Sequence, residues 1–130
     1  MRVALDTKQY VNFCRGDETI LRVVKHAHEI VLPFVVVAEL RAGFACGTKA
    51  KRNASILTRF LGKPRVRVVF ADDTTTHHYA NLFKQLRQQG TPVPTNDLWI
   101  AACALRHDRP LVTRNIDEFR RVPDLRVLEY

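Results

Sequence analysis

Five carboxylates fall where a strand gives way to a helix, or at a helix front. Asp6 follows the apolar run "RVAL", and Glu39 lies in the first turns of the segment after "EIVLP". Asp97 stands near the front of "TNDLWIAACAL", and Asn115, Asp117 and Glu118 come directly after "PLVT". In open α/β sheets, ligands collect beyond the carboxyl ends of the strands. Short right-handed connections would gather these residues at one such end. Carboxylates brought close raise each other's pKa unless a cation compensates. Mg²⁺ and Mn²⁺ prefer such all-oxygen sites, where they activate water and stabilise charge at a phosphodiester. Each residue also has a plainer reading. Asp6 fits a strand-end turn, Asp97 a favourable charge on a helix dipole, and Asp117 and Glu118 first-turn acids. Glu39 fits a solvated helix position, although "VVVA" before it and Leu40 after it suggest flanking core, where an unpaired carboxylate is costly. Thr95 or Asn96 can cap the Asp97 helix unaided, so capping does not require Asp97. The shared location gives the acids their weight.

The elements that must position them alternate. Strands are expected at Arg2–Leu5, Glu29–Pro33, Val66–Phe70, Pro110–Thr113 and in the closing "LRVLEY". Helical spacing recurs around Tyr10, Phe13, Ile20, Val23 and Val24. Further helices are expected in "FVVVAELRAGFACG", "NASILTRFLGKP", "DDTTTHHYANLFKQLRQQG", "DLWIAACALRH" and "IDEFRRV". Gly90 ends the long fifth helix, "DDTTT" reads as its N-terminus, and Trp99 and Cys103 read as core. Most of the strands are short continuous apolar runs, which predicts a parallel sheet buried between helices. One domain over 1–130 is expected, with Gly47–Asn53 and Gly90–Asn96 its mobile stretches.

The chain has 130 residues, 46% of them hydrophobic, enough for one substantial core. Its longest apolar run, "IVLPFVVVA", is too short for the ~20 residues that span a bilayer. "MRVALDT" enters a strand at once, with no signal-peptide architecture. Three cysteines without paired spacing argue against a disulfide framework and fit a reducing cytosol, hence a cytoplasmic protein. The His26/His28 and His77/His78 pairs lack metal-ligand spacing and read as surface residues. The net charge of +8, from 21 basic and 13 acidic residues, suits a polyanionic partner, nucleic acid above all. A basic surface around an acidic, metal-filled pit is what a nuclease needs.

Taken in order, "ALDT" with Asp6 and Thr7, "VVVAELRAG" with Glu39, "TPVPTNDLWIAACAL" with Asp97, and "PLVTRNIDEFRRVPDLRVLEY" resemble the motifs of PIN-domain ribonucleases. The resemblance is closest to the VapC-type toxins of bacterial type II toxin–antitoxin pairs and runs through nearly the whole chain. It implies a PIN-like three-layer α/β/α sandwich with a mostly parallel central sheet, and Mg²⁺- or Mn²⁺-dependent cleavage of RNA. By analogy Asp6 and Asp97 are the principal metal-site acids, and Glu39 completes the acidic pocket. The fourth acid is Glu118 or Asp117, with Glu118 favoured because it directly precedes Phe119; some members carry an aspartate where this chain has Asn115. Thr113 holds water or phosphate, and Arg114 contacts RNA or a neighbouring acid. Lys8 departs from the asparagine that many members have after "DT". The resemblance further implies a homodimer and a cognate antitoxin that blocks the pit.

Three other readings share some of these features. A PIN nuclease of RNA processing needs no antitoxin. A non-catalytic basic nucleic-acid-binding module uses its acids only for a structural cation. A phospho-accepting receiver domain also clusters acids at strand ends, with Asp72 and Asp73 as its imitators here.

Overall fold

The structure is a computed structural model that describes residues 1–128. Five strands, β1 (Arg2–Leu5), β2 (Glu29–Pro33), β3 (Val66–Val69), β4 (Leu111–Val112) and β5 (Val127–Leu128), form one sheet in the order β3-β2-β1-β4-β5. Every pairing is parallel. The helices are α1 (Thr7–Cys14), α2 (Glu18–His26), α3 (Phe34–Cys46), α4 (Ala50–Leu61), α5 (Asp73–Gln89), α6 (Thr95–Arg106) and α7 (Ile116–Phe119). The chain steps from β1 to β2 to β3 in one direction across the sheet and from β3 to β4 in the other. Right-handed crossovers then place α1–α4 on one face and α5–α6 on the opposite face. This is the expected three-layer sandwich.

Cover on both faces explains the strand composition. Val3, Ala4, Leu5, Ile30, Val31, Leu32, Leu111 and Val112 are all fully buried, as continuous apolar strands of a parallel sheet should be. Helix α6 is nearly as deep, with Leu98 and Ile100 to Ala104 buried; a helix apolar on every side belongs inside a domain. Trp99 is only half-buried, not the core residue its spacing predicts. It stacks on Tyr79 of α5 at 4.2 Å and meets Phe34 of α3 edge-on at 6.0 Å, so it clamps α6 between two neighbouring helices.

The far end of α6 is tied by charge. Asp72 caps α5, accepting from the Thr75 backbone N–H at 2.9 Å, while its own N–H donates to the Thr75 hydroxyl. Arg106, the last residue of α6, donates to both Asp72 oxygens at 2.8–3.1 Å. That guanidinium holds the Asp72 carboxyl well below the usual carboxylate range. Asp72 is thereby spoken for as a cap and ion-pair partner, which removes it as a phospho-acceptor.

Several boundaries differ from expectation. Strand β3 stops at Val69 and leaves Phe70 70% exposed. Strand β4 is two residues long, Leu111–Val112, although the Ala4 N–H still donates to the Pro110 carbonyl at 2.9 Å. Helix α4 starts at Ala50, inside the stretch expected to be mobile. Helix α6 starts at Thr95, with Pro94 at the cap position and no side-chain cap. Neither Thr95 nor Asn96 therefore caps it; both are its first residues. The closing strand covers Val127–Leu128, and the rest of "LRVLEY" beyond it lies outside the described residues. Among the described residues no helix is long and apolar enough to cross a membrane.

Gly90 joins α5 to the segment that delivers α6. It sits at φ +73° in the left-handed region, and a Cβ there would meet nothing within 4 Å. The cost of a side chain is thus purely conformational. Gly90→Ala is expected to destabilise the fold by about 1 kcal/mol, with Gly90→Asn recovering part of it. Urea unfolding should show a lower midpoint with an unchanged slope.

Candidate active site

Strand order creates the site. β1 lies beside β4, with Leu5 paired to Val112, and the Asp6 N–H donates to the Val112 carbonyl at 3.4 Å. The chain leaves the sheet in opposite directions on either side of this pair, so a crevice opens beyond β1 and β4. Asp6 and Thr113 face each other across its floor.

Asp6 is buried, and it caps α1 by accepting from the Gln9 N–H at 3.0 Å. Burial pushes its carboxyl above the usual range; hydrogen bonds from the Thr113 hydroxyl and Gln9 oppose this, Asp97 adds to it, and Lys8 relieves it slightly. A carboxylate that only capped a helix would not need a second acid nearby. Gln9 is itself buried at 1% exposure. The sequence signal for it is local: Asp6–Gln9 has the N-cap and third-residue spacing of a capping box.

Glu39 projects from α3 and is half-buried; the Thr7 hydroxyl donates to it at 2.7 Å, so it is partnered rather than stranded beside the core. Asp97 is the third residue of α6, half-buried. Asp6, Thr7, Glu39, Asp97 and Asn115 wall a cleft of about 330 Å³, with the side of Phe119 and Ile100 as its apolar base. Glu118 stands behind this wall. It accepts from the Asn115 amide at 2.7 Å. Burial, followed by its hydrogen bond to Asp97 and the Asp97 charge, pushes its carboxyl up to about 7. The structure thus couples Glu118 with Asp97, whereas Asp117 is exposed on the other side of the same short helix.

The remaining candidates occupy supporting places. Thr113 is buried and accepts from the Asn115 N–H at 3.0 Å. Arg114 is half-exposed and reaches a neighbouring acid, Asp17, at 2.7 Å. Asp17 escaped the sequence analysis. It caps α2 through the Thr19 and Ile20 N–H groups, and only the local "DET" capping pattern hinted at a role.

A divalent cation is tested by this geometry. Among the described residues no three His, Cys, Asp or Glu side chains form a ready-made cage. The donors that do converge are all oxygen, and Glu118 is pressed to hold its proton next to Asp97 at neutral pH. An ion that takes few protein ligands and keeps several waters suits that set.

The chain's similarities agree with the geometry. The family description "PIN domain" matches residues 3–125. Ribonuclease VapC2 of Rickettsia felis is 34% identical over 105 residues, 81% of this chain and 77% of that protein. The crystal structure of VapBC2 from Rickettsia felis, bound to a DNA fragment from their promoter, contains a chain that superposes with a TM-score of 0.89 at 30% identity, covering 100% of this chain and 99% of that one. A member of the VapBC family of toxin–antitoxin systems, VapBC-5 from Mycobacterium tuberculosis, gives 0.70 at 26% identity over 97% and 98% of the two chains. With its acids gathered at the crevice beyond β1 and β4, this chain belongs to the PIN-domain family, among the VapC ribonucleases.

Proposed function

We propose that this chain is an endoribonuclease, the toxin of a toxin–antitoxin pair, that hydrolyses RNA phosphodiesters at the Asp6–Asp97 cleft with help from Mg²⁺ or Mn²⁺. The observation that carries this reading is the single cleft walled by Glu39, Asp97 and buried Asp6, an arrangement of oxygens that calls for positive charge. Asp6 and Asp97 would hold the cation. When bound, the cation supplies Lewis acidity toward the phosphodiester and offsets the repulsion among the acids. Glu39, steadied by Thr7, and Glu118, steadied by Asn115, orient the attacking water and take its proton. Thr113 keeps Asp6 in place from below. Asp117, exposed, has no part in this scheme.

The neighbours of known structure support a cognate antitoxin as partner, since they are VapBC assemblies. A homodimer is part of the same proposal. Three free cysteines, two of them exposed, support a reducing cytoplasm as its setting.

The test is incubation of antitoxin-free protein with mixed cellular RNA, in Mg²⁺ or Mn²⁺ and in EDTA. Discrete fragments that require the cation are expected. RNA left intact under all conditions, while the cation still raises the melting temperature, would instead favour a non-catalytic binding module.

A further inference from the structure

The acidic cleft continues past Asp6. A second hollow of about 290 Å³ is walled by Asp6, Lys8, Gln9, Arg114 and Asn115. Asp6, Lys8 and Asn115 belong to both hollows, so the two form one groove. Its character changes along its length. The first part holds Asp6, Glu39 and Asp97, and the second has no acid beyond Asp6 and two cations.

These cations are placed differently. Lys8 is exposed on the first turn of α1, close enough to Asp6 to favour its charged form. Arg114 is oriented by Asp17, which is itself fixed as the cap of α2. An arginine held in place loses less freedom when a ligand arrives. Gln9, almost wholly buried, lines the same hollow. A polyanion drawn across an acidic pit is repelled there unless fixed positive charge holds the neighbouring backbone. Lys8 and Arg114 stand where that backbone would leave the pit.

We propose that Lys8 and Arg114 form a subsite for the phosphate next to the scissile one in a single RNA strand, with Lys8 as a substrate-positioning residue. The proposal rests on the ribonuclease reading above. Phosphate contacts fix register without reading bases, so Lys8 strengthens binding to all sequences alike and sets which linkage lies over the acids.

The probe is a fluorescein-labelled single-stranded oligoribonucleotide of mixed sequence. Binding is measured across salt concentrations with Asp97→Asn protein, alone and combined with Lys8→Gln or Lys8→Arg. Each phosphate contact contributes about 0.7 to the slope of log affinity against log salt on a single strand. Lys8→Gln should flatten that slope by about this amount, and Lys8→Arg should restore it. In protein with Asp97 intact, Lys8→Gln should raise KM several-fold, with a smaller effect on kcat. An unchanged slope, or a loss confined to kcat, would overturn the subsite and leave Lys8 as a local counter-charge to Asp6. A Lys8-dependent slope in a protein that never cleaves RNA would sustain the subsite and overturn the ribonuclease reading instead.

Discussion

Asp97→Asn is expected to lower RNA cleavage about 10²–10⁴-fold while leaving the fold intact. Asparagine matches aspartate in shape, and no cap is lost, because Pro94 holds the cap position of α6 and no side chain caps it. Removing one negative charge from the first turn of α6 gives up a dipole interaction of about 0.3–1 kcal/mol. The same change relieves repulsion with Asp6 and Glu118. The two effects oppose each other, so the melting temperature should hardly move. A second readout does not depend on turnover. Asp97 contributes two of the causes that hold Glu118 near 7, but burial is the largest. In Asp97→Asn protein the Glu118 carboxyl should therefore titrate lower, part of the way back to its ordinary 4.5, as carbon-13 NMR of labelled glutamate would show. Cleavage within threefold of the parent protein would sink the mechanism and leave Asp97 as a helix-front charge.

The contribution of Glu118 to stability, without divalent cation, should be lost as pH rises from about 4.5 to about 7. Glu118 has a folded pKa above its unfolded one, so the native state binds the extra proton in that window. Stability rises with pH only where the unfolded state binds more protons, and here the sign is reversed. Asp6, also raised, acts in the same direction. Asp72, Asp17 and Glu29 are lowered by Arg106, Arg114 and Arg109. Their contributions are present above the unfolded carboxylate range and are lost on further acidification. His107, whose pKa burial lowers, opposes Glu118 in the same window, so the Glu118 contribution is read as the difference between the parent protein and Glu118→Gln.

Mg²⁺ or Mn²⁺ should reverse the neutral-pH loss, because the cation competes with the proton for the same oxygens. At a hundred times its Kd, a bound ion stabilises by about 2.7 kcal/mol. Melting curves should show that gain near pH 8 and little of it near pH 5. Asp97→Asn should flatten the pH profile and shrink the cation response together. Equal cation responses at both pH values would show that the acids do not act as one ion-responsive group.

Much of this molecule is legible without coordinates. "VAL" of β1 and "IVLP" of β2 are continuous apolar runs because a parallel strand covered on both faces has no wet side, whereas the edge strand β3 keeps Arg67 exposed. "DDTTT" reads as a helix start because an aspartate cap satisfies orphan N–H groups, and Asp72 does so. The front of α6 was less legible. Thr95 and Asn96 have capping chemistry, but Pro94, with its fixed φ and extended backbone, takes the cap position, and the helix begins at Thr95, two residues ahead of the expected start.

By itself the sequence determined that acids follow strand ends in an alternating α/β chain, and that its motifs are those of a PIN domain. These are local properties, set by residue type and by periodicities of two and 3.6. Only the tertiary structure decided which acids meet. That β1 pairs with β4, setting Asp6 against Thr113, depends on contacts between segments more than a hundred residues apart, which no local pattern encodes. Asp117 and Glu118 are adjacent in sequence and equal in charge, yet one helical step of about 100° turns one to solvent and the other to Asp97. Arg114 finds Asp17 for the same reason: both follow elements that only the folded sheet brings to one end.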